Sequence, residues 1–217
     1  MKTILFLSSD FNCLFFLILP YSLHLNFSSL IISLEKPGSP LSLLGQEASK
    51  LNIPFFRVEC RAQFDSCAVK EIRALLAEHE VDVVHSHNYK ANLLGFMAAR
   101  PIKRPIVATV HGYLSENTKV RFYEAFDRGL LRFFSRVVLV REDQQKWFRG
   151  YKTTLIHNGI DVEAPNRREG AGSVNLGIVG RLSQEKGHAL LFEALAGIKD
   201  VELLVAGDGP LRSELEE

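Results

Sequence analysis

Short apolar runs alternate with stretches of helical spacing along most of the chain. The apolar runs cover residues 3–7, 30–34, 54–58, 81–85, 105–110, 136–140 and 153–157. The helical stretches cover residues 43–51, 69–79, 90–100, 120–134 and 142–150. Strands that are apolar on both faces and alternate with helices are typical of a parallel sheet covered on both sides. The pattern therefore predicts an α/β fold with a Rossmann-like parallel sheet.

The polar residues that follow the predicted strands are the first place to look for chemistry. In open α/β sheets, ligands bind beyond the carboxyl ends of the strands. Residues 8–12, 85–88 and 111–113 hold such positions. His85, His87 and Asn88 are candidates for the wall of a binding cleft, and His111 is a candidate for catalysis.

A second folding unit is predicted after residue 161. Residues 162–173 are polar and contain Pro165, Gly170 and Gly172, which is a linker composition. A strand–helix–strand pattern follows over residues 174–206. We therefore divide the chain into a first Rossmann-like domain at residues 1–161, a linker at 162–173, and an incomplete second domain at 174–217.

The N-terminal region contains a long uncharged stretch, residues 11–34. A membrane span needs roughly 20 predominantly apolar residues, and Pro20, His24 and Asn26 interrupt this one. A secretory signal would need a more basic start and a cleavage site. The simpler interpretation is a buried strand and helix, and a membrane span or secretory signal is the alternative.

Composition narrows the classes of partner. The 217 residues carry a formal net charge of +1, which gives no electrostatic reason to expect a nucleic-acid partner. The three cysteines are odd in number and match no zinc or redox spacing. A reducing, cytoplasmic location is the simplest expectation.

Two glycine-containing turns in the second unit carry the most specific chemistry. Gly180 and Arg181 follow a strand, and Lys186 precedes a predicted helix. A helix N-terminus beside two cations suits a diphosphate, although a surface turn with solvated charges would look the same. The turn Gly207-Asp208-Gly209-Pro210 follows the next strand. Neither turn is a P-loop or a dinucleotide fingerprint.

Taken together, these motifs resemble those of the family 4 retaining glycosyltransferases. The resemblance is carried by residues 179–187, 206–210 and 157–161, with 84–87 and 109–112 in the first domain. It implies a GT-B-like fold in which the first domain binds an acceptor and the second a nucleotide-sugar. It also implies that Arg181 and Lys186 hold the donor diphosphate, and that His111 lies near the transferred sugar.

The resemblance assigns further roles and also has gaps. It implies that Gly180, Asp208 and Gly209 lie near the donor, that the acceptor is a glycan, a lipid or a small molecule, and that no cofactor is needed. The glycine pair that the family usually has after its first strand is missing here, where residues 10–13 read Asp-Phe-Asn-Cys. The family's paired glutamates would lie beyond Glu217.

Alternative interpretations remain open. His85 and His87 could form a metal pair, but the sequence positions no third ligand and we expect no metal. The phenylalanine-rich stretch 120–134 is most simply core, although exposed aromatic residues there could aid membrane contact at the inner face. The chain could also be a non-catalytic fragment or binding subunit, or a sugar-nucleotide epimerase. The oligomeric state is not predicted.

Overall fold

The computed structural model describes residues 2–8, 27–113, 118–159 and 174–216. The chain divides into two compact units, residues 1–161 and 162–217. No helix among the described residues is long and apolar enough to cross a membrane. Most of the uncharged N-terminal stretch, residues 11–26, lies outside the described residues.

The first unit is built on a seven-stranded parallel sheet, as the sequence predicts. Its strands are β1 (Lys2–Ser8), β2 (Phe27–Glu35), β3 (Phe55–Glu59), β4 (Val83–His87), β5 (Ile106–Val110), β6 (Arg136–Leu139) and β7 (Thr153–Leu155). The order across the sheet is β3-β2-β1-β4-β5-β6-β7, with every pair parallel. The one shift that matters for function is in β4, which continues to His87 instead of ending at His85.

Among the described residues, four helices and two 3-10 turns connect these strands. The helices are α1 (Leu43–Lys50), α2 (Ser66–Glu78), α3 (Tyr89–Ala99) and α4 (Thr118–Leu131), and the 3-10 turns are Arg100–Ile102 and Glu142–Trp147. Three helices begin at a polar cap: the side chains of Ser42, Asp65 and Asn88 accept hydrogen bonds from backbone amides of the first turn. Such caps satisfy amide groups that have no partner inside the helix.

The core lies on both faces of the sheet, which explains why the strands are apolar throughout. Leu5 and Leu7 point to one face, where they join the cluster that α2 and α3 cover. Phe6 points to the other face, where it packs with Leu44 and Ala48 of α1. Alternation along the strand thus buries every central side chain of β1.

Helix α4 differs from its sequence interpretation. Phe122, Phe126 and Phe133 were expected in the core, but their exposed fractions are 68%, 50% and 64%. The buried positions described on this helix are Glu124, Asp127 and Leu131. Apolar spacing shows that a helix has a distinct face, but it does not show which face the sheet covers.

The strand order defines one topological switch point. From β1 the chain adds β2 and β3 on one side, then returns to place β4 against the other edge of β1. The connections on either side of this point leave in opposite directions, which opens a crevice at the carboxyl ends of β1 and β4. Ser8 and His87 end these two strands and are paired in register.

The second unit contains two parallel strands, β8 (Val174–Val179) and β9 (Val201–Ala206), among its described residues. Its helices are α5 (His188–Leu195) and the short α6 (Arg212–Leu215), and Gln184–Lys186 forms a 3-10 turn. Several apolar side chains of this unit are exposed. Val179, Leu190 and Leu204 have exposed fractions of 85%, 70% and 72%.

Candidate active site

A cavity of about 230 Å³ lies at the carboxyl ends of the strands at the switch point. Its lining comes from the ends of β1, β4 and β5 and from the helices that follow: Ser8, His87, Asn88, Tyr89, Asn92, Thr109, Val110, His111, Gly112, Tyr113, Val120, Glu124 and Asp127. Three of the residues predicted from the sequence, His87, Asn88 and His111, therefore line one cavity. This is where an open α/β sheet is expected to bind a ligand.

Three histidines form a contiguous group beside this cavity. His85 and His87 share one face of β4, with ring centroids 4.6 Å apart, as strand alternation requires. His87 Nδ1 lies 3.1 Å from His111 Nε2, at hydrogen-bond distance. His85 Nε2 lies 2.8 Å from the hydroxyl of Thr109. The histidines are thus linked to β5 as well as to each other.

Burial keeps these imidazoles neutral. Loss of hydration, with a smaller effect from His111, lowers the pKa of His85 to about 4. Burial and the two neighbouring histidines hold the pKa of His87 well below its usual range, and burial also lowers the pKa of His111. At neutral pH each ring therefore offers one N–H donor and one acceptor nitrogen.

His87 has hydrogen-bonding capacity left over. Its side chain is 2% exposed, and its Nε2 has no hydrogen-bond partner among the described residues. An unsatisfied buried nitrogen is costly. A polar ligand group that reached this atom would remove that cost.

A polar network that sequence reasoning missed supports the cavity from α4. The Asn92 amide donates to Asp127 Oδ1 over 2.7 Å and accepts from the Ser86 hydroxyl over 2.7 Å. The Tyr113 hydroxyl donates to Asp127 Oδ2 over 3.1 Å. These bonds tie the loop after β5 to α3, α4 and β4. The available signal was the spacing of Val120, Glu124 and Asp127, which places them on one face of α4, opposite the phenylalanines.

The two carboxyl groups that line the cavity are deeply buried. Glu124 and Asp127 are 4% and 3% exposed. Burial raises the pKa of Asp127, although its hydrogen bonds from Asn92 and Tyr113 act in the opposite direction. Burial and the adjacent Asp127 also raise the pKa of Tyr113, so its hydroxyl stays a donor. The cavity is thus lined by two buried carboxyl groups, and that of Asp127 is held in place by hydrogen bonds from Asn92 and Tyr113.

Backbone conformation also shapes the cavity rim. Asn88 adopts a left-handed φ of 70°, and its Oδ1 accepts from the Ala91 amide to cap α3. Part of its predicted role in the cleft is therefore structural. Gly112 has a φ of 147°, a value that favours glycine. This conformation brings Tyr113 back over α4 directly after His111.

The predicted donor residues Gly180, Arg181, Lys186, Asp208 and Gly209 all lie in the second unit, in two adjacent turns. Arg181 and Lys186 are exposed, and a Cβ on Gly180 would lie 3.8 Å from Cδ of Lys186. The Lys186 side chain therefore runs past Gly180. Both cations lower the pKa of Glu185, after the larger effect of its hydrogen bond from Ser183. The helix behind them, α5, begins at His188 and has no side-chain cap.

The two glycines of the second turn are explained by close backbone packing. A Cβ on Gly207 would lie 1.9 Å from the carbonyl oxygen of Gly180, and a Cβ on Gly209 would lie 2.4 Å from that of Leu182. Backbone hydrogen bonds join the turns, from Gly180 to Ala206 and from Leu182 to Asp208. The Asp208 side chain is exposed and accepts from the Gly209 amide. The turns thus hold each other in place, whether or not they also bind a ligand.

The described residues contain no group of three or more His, Cys, Asp or Glu side chains arranged to hold a metal ion. The histidines at the cavity instead bond to each other and to Thr109.

Comparison with solved structures identifies the same architecture elsewhere. HepE from Anabaena, solved in complex with UDP and glucose, superposes with a TM-score of 0.76 at 22% identity, over 99% of this chain and 63% of its own. A glycosyltransferase from Rickettsia africae superposes with a TM-score of 0.69 at 17% identity, over 99% of this chain and 62% of its own. At these identities the likeness establishes the GT-B fold.

Sequence comparison adds the family. Phosphatidyl-myo-inositol mannosyltransferase of Mycobacterium leprae is 28% identical over 72% of this chain and 46% of its own length. An Escherichia coli galactosyltransferase, which is named for UDP-Gal and a GlcNAc-diphosphoundecaprenol, is 29% identical over 65% of this chain and 44% of its own. The chain spans about half the length of these relatives. The sequence pattern of Glycosyltransferase Family 4 matches residues 30–164, more than half of the chain, and the chain belongs to that family.

Proposed function

We propose that this chain forms the acceptor-binding part and the beginning of the donor-binding part of a retaining glycosyltransferase. The observation that carries the proposal is the cavity at the switch point, where neutral His87 and His111 meet buried Glu124 and Asp127. Family membership and relatives that are named glycosyltransferases support transfer over the epimerase alternative.

The cavity suits a hydroxylated acceptor. Neutral imidazoles, amides and buried carboxylates are the groups that hydrogen-bond sugar or polyol hydroxyls. The unsatisfied Nε2 of His87 is one point at which such a hydroxyl would bind. The mannosyltransferase and the galactosyltransferase are named for phosphatidyl-myo-inositol and a GlcNAc-diphosphoundecaprenol, which are a lipid and a lipid-linked sugar. We propose a glycan or lipid acceptor here, which agrees with a cytoplasmic protein that works at the inner face of a membrane.

The donor in this proposal is a nucleoside diphosphate sugar held by the second unit. Arg181 and Lys186 are exposed cations beside a glycine turn and the uncapped start of α5. Charge-assisted hydrogen bonds from them would stabilise the diphosphate as it leaves. In the transfer step the acceptor oxygen bonds to the anomeric carbon and the bond to the diphosphate oxygen breaks. The proton of the acceptor hydroxyl leaves with the nucleoside diphosphate.

His111 is proposed to support this step through its neutral ring. Its Nε2 faces His87 Nδ1, which fixes the orientation of the imidazole. A neutral imidazole near the transferred sugar can donate a hydrogen bond to a sugar hydroxyl. Because the ring is uncharged, no charge has to be removed from water. Mutation of His111 should therefore affect turnover far more than folding.

A separate observation favours the alternative that this chain is a non-catalytic subunit. The described part of the second unit leaves Val179, Leu190 and Leu204 exposed, as expected for a donor domain that needs further covering. A chain of this kind could bind an acceptor or a partner and transfer nothing. This is the non-catalytic subunit alternative.

Product analysis separates the two functions. The protein is incubated with UDP- and GDP-sugars and lipid or glycan acceptors, and the anomeric configuration of any product is determined by NMR. We expect a product that retains the donor's configuration, with turnover reduced at least tenfold in His111→Ala. The melting temperature should fall only slightly, by the loss of one hydrogen bond to buried His87. Inverted product would contradict retention. Acceptor binding without transfer in any combination would support the non-catalytic subunit.

Donor binding is tested separately by titration calorimetry with UDP. Each charge-assisted hydrogen bond contributes about 1.5–3 kcal/mol, so Arg181→Ala and Lys186→Ala should each weaken UDP binding about tenfold or more. Lys199→Ala is the matched control, because Lys199 is an exposed cation that precedes β9, at the opposite end of that strand from the turns. Equal affinity in the double variant and the control would reject the site.

A further inference from the structure

A second depression lies at the opposite edge of the first unit's sheet, where β5 and β6 begin. Its volume is about 560 Å³, and its lining comes from the segment between α3 and β5 and from the residue before β6: Arg100, Pro101, Lys103, Arg104, Pro105 and Ser135. The Ser135 amide donates to the carbonyl oxygen of Ile106, which joins the two strand starts. Three of the six lining residues are cations, and none is acidic or aromatic.

The end of helix α3 does not account for these cations. Positive side chains near a helix C-terminus often serve to satisfy its last carbonyl groups. Here the guanidinium of Arg73, on α2, donates to the carbonyl oxygens of Met97 and Ala98. The backbone amides of Lys103 and Arg104 donate to the next two carbonyl oxygens along the chain. The three cationic side chains that line the depression are therefore not needed as caps.

The positive charge of the depression is not neutralised by the described part of the chain. None of Arg100, Lys103 and Arg104 forms an ion pair with a described residue. Asp82 precedes the neighbouring strand β4, but its carboxylate accepts a hydrogen bond from the Thr3 amide, on the side of β4 away from β5. Three such cations within five residues concentrate a positive potential, and the planar fork of arginine matches phosphate oxygens.

The segment that carries the cations is held in one conformation. Pro101 and Pro105 have fixed φ angles, and Lys103 adopts a left-handed φ of 54°. Glycine is the residue favoured at such a position after a helix, and a side chain there is strained. A lysine at this position is therefore better explained by its charge than by its backbone. Because the segment is already ordered, a ligand would bind without a large loss of conformational entropy.

We propose that this depression binds a soluble oligophosphate, an anion with two or three linked phosphate groups. Several negative charges close together along a short chain match three cations that lie within five residues. The only apolar lining residues are the two prolines, which offers little for an acyl chain to contact and favours a soluble anion over a lipid. The depression belongs to the first unit alone and includes neither Arg181 nor Lys186, so the proposal does not rest on the proposed function.

Titration calorimetry with tripolyphosphate tests the proposal in the full chain. Arg181→Ala/Lys186→Ala serves as the background, so that the proposed donor site contributes no binding. We expect saturable binding that weakens with salt, and an affinity about tenfold lower when either Lys103→Gly or Arg100→Gln is added, because each removes a charge-assisted hydrogen bond. Lys36→Gln is the matched control, because it removes one exposed positive charge that follows β2, at the carboxyl edge of the sheet.

The glycine variant separates binding from folding. Since a φ of 54° suits glycine, Lys103→Gly should not lower the melting temperature, and its loss of affinity would then report the missing cation. Equal affinities in Lys103→Gly and Lys36→Gln would show that net charge governs binding, and equal affinities for monophosphate and tripolyphosphate would reject a chain of phosphates. Tighter binding of polyglutamate, or binding to phosphatidylglycerol vesicles without binding of tripolyphosphate, would overturn the proposal in favour of an acidic protein or of lipid headgroups.

Discussion

At the scale of residues, the candidate site depends on histidines that burial keeps uncharged. His85 and His87 are positioned by strand alternation, and His111 by the end of β5. Their low pKa values follow mainly from lost hydration. The site therefore offers hydrogen bonds and no fixed positive charge at neutral pH, which is the chemistry that a hydroxylated ligand needs.

The same burial predicts how stability depends on pH. The pKa of His85 is near 6.5 in the unfolded chain and about 4 in the folded protein. Between pH 4 and pH 6.5 the unfolded state therefore binds more protons than the folded state. Stability contributed by neutral His85 is therefore complete above pH 6.5 and is lost as pH falls toward 4. The full effect of such a shift is on the order of 3 kcal/mol.

Thermal melts across this range provide the measurement. We expect the melting temperature of the wild-type protein to fall between pH 6.5 and 4, and to fall less in His85→Gln/His87→Gln. The glutamines keep hydrogen-bonding capacity but do not titrate. An identical pH dependence in the two proteins would show that these histidines are not the source.

At the scale of elements, residues outside the predicted motifs determine how the motif-bearing turns and helices are oriented. Helix α4 turns its carboxylates toward the cavity and its phenylalanines away from it. In the second unit, the turns after β8 and β9 hold each other through backbone contacts at Gly207 and Gly209. Positioning of the proposed diphosphate site thus depends on glycines that touch protein backbone.

Gly207→Ala should loosen this pair of turns. The new Cβ would lie 1.9 Å from the Gly180 carbonyl oxygen, so the backbone must shift, at a cost of about 1–3 kcal/mol for overpacking. Amide hydrogen exchange over β8 and β9 is the measurement, and exchange should accelerate. Gly177→Ala is the control, because a Cβ there meets no atom within 4 Å. Similar exchange in both variants would mean that the turns are not tightly coupled.

At the scale of the whole molecule, the two units differ in how well they are covered. The first has a seven-stranded sheet with buried clusters on both faces. The second pairs two strands among its described residues and exposes apolar side chains on them. Parallel strands are normally buried on both faces. The exposed apolar surface of the second unit could therefore be covered by another segment, another chain or a membrane.

We therefore expect this chain alone to associate in solution and to turn over slowly. Exposed apolar strands promote pairing between molecules, and Val179→Thr/Leu204→Thr should reduce association in analytical ultracentrifugation. Slow turnover is expected because a poorly covered second unit would position the donor sugar less accurately. A misplacement of about 1 Å can lower the rate of transfer roughly 100-fold. A monodisperse wild-type monomer with robust multiple turnovers would contradict this expectation.

The sequence by itself determined the fold class, most element positions and the family. Apolar runs that alternate with helical spacing specify a parallel sheet, because both faces of each strand must be buried. The histidines of the site could also be found, since function in such sheets lies at strand ends. The resemblance to family 4 came from motifs within single segments, which need no tertiary information.

Only the tertiary structure decided what these residues touch. The link between His87 and His111 spans 24 positions in sequence. The network of Ser86, Asn92, Tyr113 and Asp127 also joins separate elements, over as many as 35 positions. The prediction that the phenylalanine face of α4 is buried was also wrong. The helical period fixes the angle between side chains but does not determine which side of the helix meets the sheet. That orientation depends on how well each face packs and hydrogen-bonds against α3 and the loop after β5, and those contacts form only when the chain is folded.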